Sequence, residues 1–194
     1  MLVRKEVFLK HAILTVGPQY VGKSTFCKKI VCAHPEVVYV SRDEILTEMF
    51  GSVWLSEYSG QHLLGWEKMW KIVAQQLQKN EVTIILDTWN SSPSDREKIV
   101  GKLRLLGVDR ITAWRFVTPE RACFRWSLKR EPFKPGSSTK WTKFRLRARR
   151  DASRKVYQNF HSQPLGDNLF DQVVEINPLE PQPVDLFRLQ VQPH

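Results

Sequence analysis

The chain is short of cysteine, of acidic residues and of long apolar runs, and each shortage narrows what it does. Its three cysteines, Cys27, Cys32 and Cys123, are an odd number at no metal-ligand spacing, and two of them fall within one expected helix. Neither a disulfide scaffold nor a zinc site is indicated, and reduced thiols in a cytoplasmic setting are expected. No apolar stretch approaches the roughly 20 residues of a membrane span. Met1 to Lys10 also lacks the hydrophobic stretch of a secretory signal, so a soluble cytoplasmic protein without a membrane partner is the expectation. Histidine is sparse too: His34, His62 and His161 have no partner at catalytic or metal spacing and read as structural or surface residues. There is no internal repeat.

Acidic residues number 20 against 30 Lys and Arg, for a formal net charge of +10. That balance favours a polyanionic partner, nucleic acid first among them. With 194 residues and 42% hydrophobic content, the chain suits one compact domain that buries a core without covalent help.

The apolar runs that do occur are short and separated by helical patterns. His11 to Val16 reads as a strand that stops at Gly17, and a helix follows Lys23 with Phe26, Ile30 and Val31 inward. Pro35 ends that helix, Val37 to Val40 forms a second strand, and Glu44 to Phe50 a short helix. From Gln61 to Gln78 the residues Leu63, Trp66, Trp70, Val73 and Leu77 recur at helical intervals, with the tryptophans expected in the core. Val82 to Leu86 is nearly all apolar, as a strand covered on both faces is. Ser92-Pro93-Ser94-Asp95 reads as a capped helix start, and Gly107 closes that helix. A strand at Ile111 to Val117, a helix from Pro119 to Arg130, a Pro- and Gly-bearing loop from Glu131 to Lys140, and a helix from Lys143 to Phe160 come next. That last helix carries Phe144, Ala148, Ala152, Val156 and Phe160 on one stripe and Lys143, Arg147, Arg150 and Arg154 on another. Phe170 to Ile176 is the fifth strand. Alternating strands and helices imply a three-layer α/β fold with a parallel sheet, whose ligands gather at the carboxyl ends of the strands. The domain is expected over residues 1–177, with a lid region at about 121–145 and a Pro-rich tail from 178 to 194.

Gly17-Pro18-Gln19-Tyr20-Val21-Gly22-Lys23-Ser24 matches the P-loop pattern GxxxxGK[ST] in its proper setting, between a strand and a helix. The glycines let successive amide N–H groups face phosphates at a helix amino terminus. With Thr25, this stretch is the expected site for ATP or another nucleoside triphosphate. Lys23 bridges the β- and γ-phosphates, and Ser24 offers a hydroxyl to Mg²⁺. Asp43, behind the second strand, is placed to accept the proton of an attacking hydroxyl; the competing role is a cap for the helix that begins at Glu44. Asp87, at the end of the third strand, is positioned either to hold the water shell of Mg²⁺ or to touch the acceptor. Thr88 and Asn90 share its loop, to contact substrate or to stabilise the turn. Eight Lys or Arg between Lys140 and Lys155 make a basic face fit to follow a phosphate backbone. Trp126, Phe133 and Trp141 lie near enough in sequence to stack bases or to pack.

These residues resemble the P-loop 5′-hydroxyl polynucleotide kinases, the family of the bacteriophage enzyme. The likeness rests on Gly17 to Ser24, on Ser41-Arg42-Asp43-Glu44, which is similar to that family's Asn-Arg-Asp-Asp signature, on Asp87-Thr88, and on Arg125 with Lys129 or Arg130, similar to its lid helix. The resemblance implies a five-stranded sheet of order 2-3-1-4-5, Asp43 as general base, and Arg42 beside the acceptor's phosphate. It further implies that Asp87 and Thr88 hold the acceptor while Arg125 grips the donor phosphates. Where the family's signature continues to an arginine, this chain has Leu46, and the family's phosphatase and ligase signatures are absent. A stand-alone kinase for the 5′-hydroxyl of RNA or DNA is the expected function. The alternatives are a small-molecule kinase, acting on a nucleoside, antibiotic or sugar nucleotide, and a nucleic-acid-binding NTPase that only hydrolyses nucleotide.

Overall fold

The computed structural model describes residues 9–53, 60–129, 142–166 and 168–181. Arg130, the loop from Glu131 to Lys140, Phe133, Trp141 and most of the Pro-rich tail lie outside the described residues.

Five strands, β1 (Lys10–Val16), β2 (Val38–Ser41), β3 (Val82–Asp87), β4 (Arg110–Phe116) and β5 (Gln172–Ile176), form one sheet. Every pairing is parallel, and the order is β2-β3-β1-β4-β5. The expected strand order is therefore observed. Between the strands run α1 (Lys23–Ala33), α2 (Arg42–Phe50), α3 (Gln61–Gln76), α4 (Pro93–Leu105), α5 (Glu120–Lys129) and α6 (Lys143–His161).

Side chains alternate across the strands, so the sheet feeds two cores. Ala12, Leu14, Ile84, Leu86, Ile111 and Ala113 pack with Met69 and Val73 of α3 and Ile99 and Leu103 of α4. Ile13, Ile85, Trp114 and Phe116 face the other way, against Phe26 and Cys27 of α1 and Cys123 of α5. Cys27 and Cys123 are buried thiols; burial pushes the Cys123 pKa up to about 11 and that of Cys27 higher still, which keeps both protonated. Among the described residues no helix is long and apolar enough to cross a membrane.

Local chemistry explains the helix starts. Ser92 and Asp95 form a reciprocal capping box with Pro93 in the first turn of α4. For α2 the competing role of Asp43, as the cap, does not hold. The helix begins at Arg42, and its cap is Ser41, whose hydroxyl accepts the Glu44 amide N–H. Ser41 has the extended backbone that a cap needs, and Asp43 is left inside the first turn with its carboxylate unused by the backbone.

Two amphipathic faces differ from the pattern read in the sequence. In α3 the buried line is Gly65, Met69 and Val73, while Leu63 is 63% exposed and Trp66 and Trp70 stack on each other at the edge of the core. Gly65 lies inward because Leu46, fully buried on α2, occupies the space that a side chain there would take. In α6 the expected apolar stripe faces outward at Phe144, which is 81% exposed, and only Phe160 of that stripe is buried. Polar contact with α5 instead runs through Arg149 and Ser153, both hydrogen-bonded to Ser127, and through Arg154, which pairs with Glu120.

Candidate active site

β1 leads directly into the P-loop, which is held in shape by its own sequence. Val21 is fully buried, and its carbonyl accepts the Thr118 hydroxyl at 2.7 Å. A Cβ on Gly17 would lie 3.0 Å from both Phe116 Cβ and Val21 Cγ2, so the loop approaches β4 more closely than any other residue allows. Gly22 takes φ of 93°, and an added Cβ would come within 3.0 Å of the Trp126 ring and 3.5 Å of Pro178. Trp126 thus packs over the P-loop, and Pro178, at the start of the tail, lies beside the same glycine. Pro18 is buried, whereas Gln19 and Thr25 are exposed.

Lys23 donates from Nζ to the carbonyls of Gly17 and Pro18, at 2.9 and 3.0 Å. Its ammonium therefore lies across the mouth of the loop. Tyr20 has φ of 65°, a left-handed conformation uncommon for a side chain of its size. It is held there by Arg149, whose guanidinium donates to the Tyr20 hydroxyl at 2.6 Å and lies 4.7 Å over its ring. Arg149 Nε is buried without a partner. Nothing in the sequence singled out Arg149 from the basic face; the signal available was its place on the helix face that turned out to be inward.

Asp87 is the hub of the cleft. Its Oδ1 accepts the Thr15 hydroxyl at 2.8 Å, and its Oδ2 accepts those of Ser24 at 2.7 Å and Tyr39 at 2.9 Å. Burial and the neighbouring carboxylate push the Tyr39 pKa well above that of a free phenol, so its hydroxyl remains a donor. The Ser24 hydroxyl and Asp87 carboxylate are hard oxygen donors on one spot beside the P-loop, which is a donor set that suits Mg²⁺ held directly or through water. Asn90 is not a surface loop residue but an anchor, donating to the carbonyls of Thr15 and Thr88. Arg96, 1% exposed, donates to the carbonyls of Asn90, Ser91, Pro164 and Leu165. The strand-end loop is thereby fixed from both sides.

Across the sheet the register pairs Ser41 with Asp87. Arg42 and Asp43 consequently share a rim with Thr88 and Trp89. The Asp43 side chain is 62% exposed, with Arg42 Nη1 3.9 Å away. A Lys28–Glu44 ion pair ties α2 to the P-loop helix. Arg42 is only 11% exposed, lies 5.5 Å over the Trp66 ring and donates to His62 Nδ1 at 2.8 Å. Since arginine has no acceptor, Nδ1 of His62 carries no proton in this contact. His62, read from the sequence as isolated, is thus an Arg42 partner. Burial lowers the Arg42 pKa and Asp43 opposes the shift, but a guanidinium remains charged throughout. Arg42 Nε and Thr88 Oγ1 are both buried without a hydrogen-bond partner. Trp89, which the sequence reading passed over, is 50% exposed; the clue was an aromatic residue directly after Asp87-Thr88 at a strand's carboxyl end.

Leu46 belongs to none of this. It is fully buried against Gly65, so no side chain at that position faces the rim. On α5, Arg125 and Lys129 are exposed.

The cleft thus has two polar groups of residues, one around Lys23, Ser24 and Asp87 and one around Arg42, Asp43 and Thr88. The chain is similar to known proteins in keeping with this. It is 20% identical to a protein in a structure of the Pnkp1/Rnl/Hen1 RNA repair complex, with a TM-score of 0.57 over 85% of this chain and 52% of that one. It therefore spans about half the length of that relative. A fungal RNA kinase is 13% identical with a TM-score of 0.52, over 87% of this chain and 75% of that one. Shikimate kinase from Bacteroides thetaiotaomicron is also 13% identical with a TM-score of 0.52, covering 88% and 89%. No curated protein is similar to the chain in sequence. At these identities the structures share a fold, that of the P-loop kinases. The AAA domain family matches residues 13–157, from within β1 almost to the end of α6, and the chain belongs to that family.

Proposed function

We propose that the chain transfers the γ-phosphoryl group of ATP, or another nucleoside triphosphate, to the 5′-hydroxyl of RNA or DNA, in the manner of the P-loop polynucleotide kinases. The observation that carries this reading is the Asp43 carboxylate. It is exposed, free of capping duty, and on the same rim as Arg42 and Thr88, whose buried Nε and Oγ1, respectively, lack partners. Hydrolysis needs only a group that positions water beside the donor, whereas a transferase must also hold an acceptor while its proton is removed.

In this mechanism the P-loop amides and Lys23 hold the donor phosphates, with Lys23 exchanging the Gly17 and Pro18 carbonyls for phosphate oxygens. Ser24 and Asp87 would hold Mg²⁺, which would supply positive charge to offset that of the donor phosphates. Arg125, with Lys129 and Arg130, closes over the donor as charge develops there, as the lid region would. Arg42 and Thr88 hold the acceptor while Asp43 Oδ takes its hydroxyl proton and directs the oxygen at the γ-phosphorus. The nucleic-acid class is supported by the net charge of +10 and by the exposed Lys143, Arg147 and Arg150 of α6. The names of the repair-complex and fungal RNA kinase structures agree with it.

The test is incubation with γ-labelled ATP and paired oligonucleotides ending in 5′-OH or 5′-phosphate, beside a panel of small hydroxyl acceptors. Label on the 5′-OH oligonucleotide alone is expected. Asp43→Ala is expected to lower kcat roughly 100- to 10,000-fold, the span of general base catalysis, with ATP binding intact. Label on a small acceptor only, release of free phosphate only, or an active Asp43→Ala enzyme each refutes the assignment.

A further inference from the structure

Trp89 is half exposed on a segment that has no freedom to expose it by fraying. Asn90 next to it is 4% exposed and bonded to the Thr15 and Thr88 carbonyls, and the buried Arg96 holds the carbonyls of Asn90 and Ser91. Thr88 on its other side is 6% exposed. The backbone is fixed on both sides of the indole, yet a ring that gains from burial is left 50% in solvent. An isolated exposed apolar residue is ordinary, but this one sits at the carboxyl end of β3, where open α/β sheets bind ligands. Next to it is Thr88 Oγ1, buried and without a partner. The register places Arg42 and Asp43 on the same rim, and Arg42 also has a buried unpartnered nitrogen. A fixed, exposed ring flanked by an unpartnered hydroxyl and a guanidinium suits a ligand that brings a flat apolar face together with hydrogen-bonding oxygens.

We propose that Trp89 is the platform on which the base of the acceptor's 5′-terminal nucleoside stacks, bringing that nucleoside's hydroxyl to Asp43. The proposal rests on the kinase reading above and adds to it a substrate class: the acceptor must carry a planar base at the end that is phosphorylated. Since every base has a flat face, the contact contributes affinity without strong preference among bases. Thr88 Oγ1 and Arg42 then receive the sugar and phosphate oxygens.

The experiment compares the whole chain with Trp89→Ala, Trp89→Phe and Trp89→Leu on two 5′-hydroxyl oligonucleotides, identical except that one has an abasic 5′-terminal residue. Removing the base is expected to raise the wild-type acceptor KM roughly 5- to 150-fold, the worth of one base–aromatic stack. Trp89→Ala should show a similarly raised KM on the intact oligonucleotide and no further loss on the abasic one. Trp89→Phe should restore the dependence on the base, and Trp89→Leu, which keeps apolar bulk without the ring, should not. The KM for ATP and the melting temperature should stay at wild-type values. Should Trp89→Ala fail to melt cooperatively, the Phe and Leu variants make the same comparison. Equal use of both oligonucleotides by the wild type, or an undiminished base effect in the Ala or Leu variants, overturns the platform while leaving the kinase in place. Label on no oligonucleotide at all overturns the kinase and the platform together.

Discussion

Replacing Gly65 by alanine should destabilise the protein, against the usual direction for a glycine inside a helix. Gly65 lies in the second turn of α3, where alanine is normally worth about 1 kcal/mol through helix propensity. Here the added Cβ would collide with Leu46 Cδ2 and sit 3.1 Å from Leu46 Cγ, and Leu46 is fully buried. Overpacking of that kind costs about 1–3 kcal/mol, so the expected balance is a loss of up to about 2 kcal/mol. The decisive comparison is with Leu46→Ala, which alone should cost about 2–5 kcal/mol through the cavity it leaves. In that background the clash is gone, and Gly65→Ala should become stabilising by about 1 kcal/mol. Urea midpoints for the four proteins, at constant denaturant slope, give the cycle directly. Because α2 carries Arg42 and Asp43, the single Gly65→Ala variant should also weaken acceptor use more than ATP use. A Gly65→Ala protein that is more stable than wild type, or a substitution effect of the same sign in both backgrounds, refutes the packing argument.

Two further outcomes follow from the buried polar groups. His11 lies in the sheet against the Thr112 hydroxyl, and burial, aided by Arg110 and opposed by Asp171, lowers its pKa to about 4. The unfolded chain protonates it near 6.5, so stability should fall as pH drops from about 6.5 toward 4, by up to about 3 kcal/mol, and level off below. Melting temperatures from pH 8 to pH 5 should show this slope, and His11→Gln should flatten it; parallel curves for the two proteins would falsify the assignment. The proposed metal role of Ser24 predicts that Ser24→Ala lowers ATP affinity about tenfold in Mg²⁺ and hardly at all in chelator. Calorimetry in both buffers is the check, and an equal loss in each would place the hydroxyl on phosphate instead of metal.

The strands, the P-loop and the α4 capping box were legible in the sequence because each is encoded locally: a periodicity, a glycine spacing, a Ser-Pro-Ser-Asp start. The strand order is not local, and it was expected only from the family resemblance. The two roles weighed for Asp43, cap or proton acceptor, were not separable in the sequence, since Asp43 and Ser41 are both good caps and only the backbone decides between them. What stayed hidden depends on distant partners. Arg149 meets Tyr20 across 129 positions and Arg42 meets His62 across 20, and no periodicity announces either pair. The same holds for Leu46. Read along the chain it looked like a missing acceptor contact, but its meaning was set by Gly65 on the next helix. In α6 the error was one of weighting: an apolar stripe was assumed to face inward, whereas polar contact with α5 is made through Arg149, Ser153 and Arg154.

The three hydroxyls on Asp87 come from three separate elements, β1, α1 and β2. One carboxylate thus closes the seam between them and is also the proposed cation ligand. On that proposal, substitutions at Asp87 cannot be sorted into folding defects and catalytic defects, because the same carboxylate serves both. A mutational survey scored on protein abundance would rank it with the sheet interior, and one scored on turnover would rank it with the P-loop. Its neighbours separate the two duties. Losing the Tyr39 hydroxyl removes one tie and leaves both proposed cation ligands in place, whereas losing that of Ser24 removes one tie and a proposed cation ligand together.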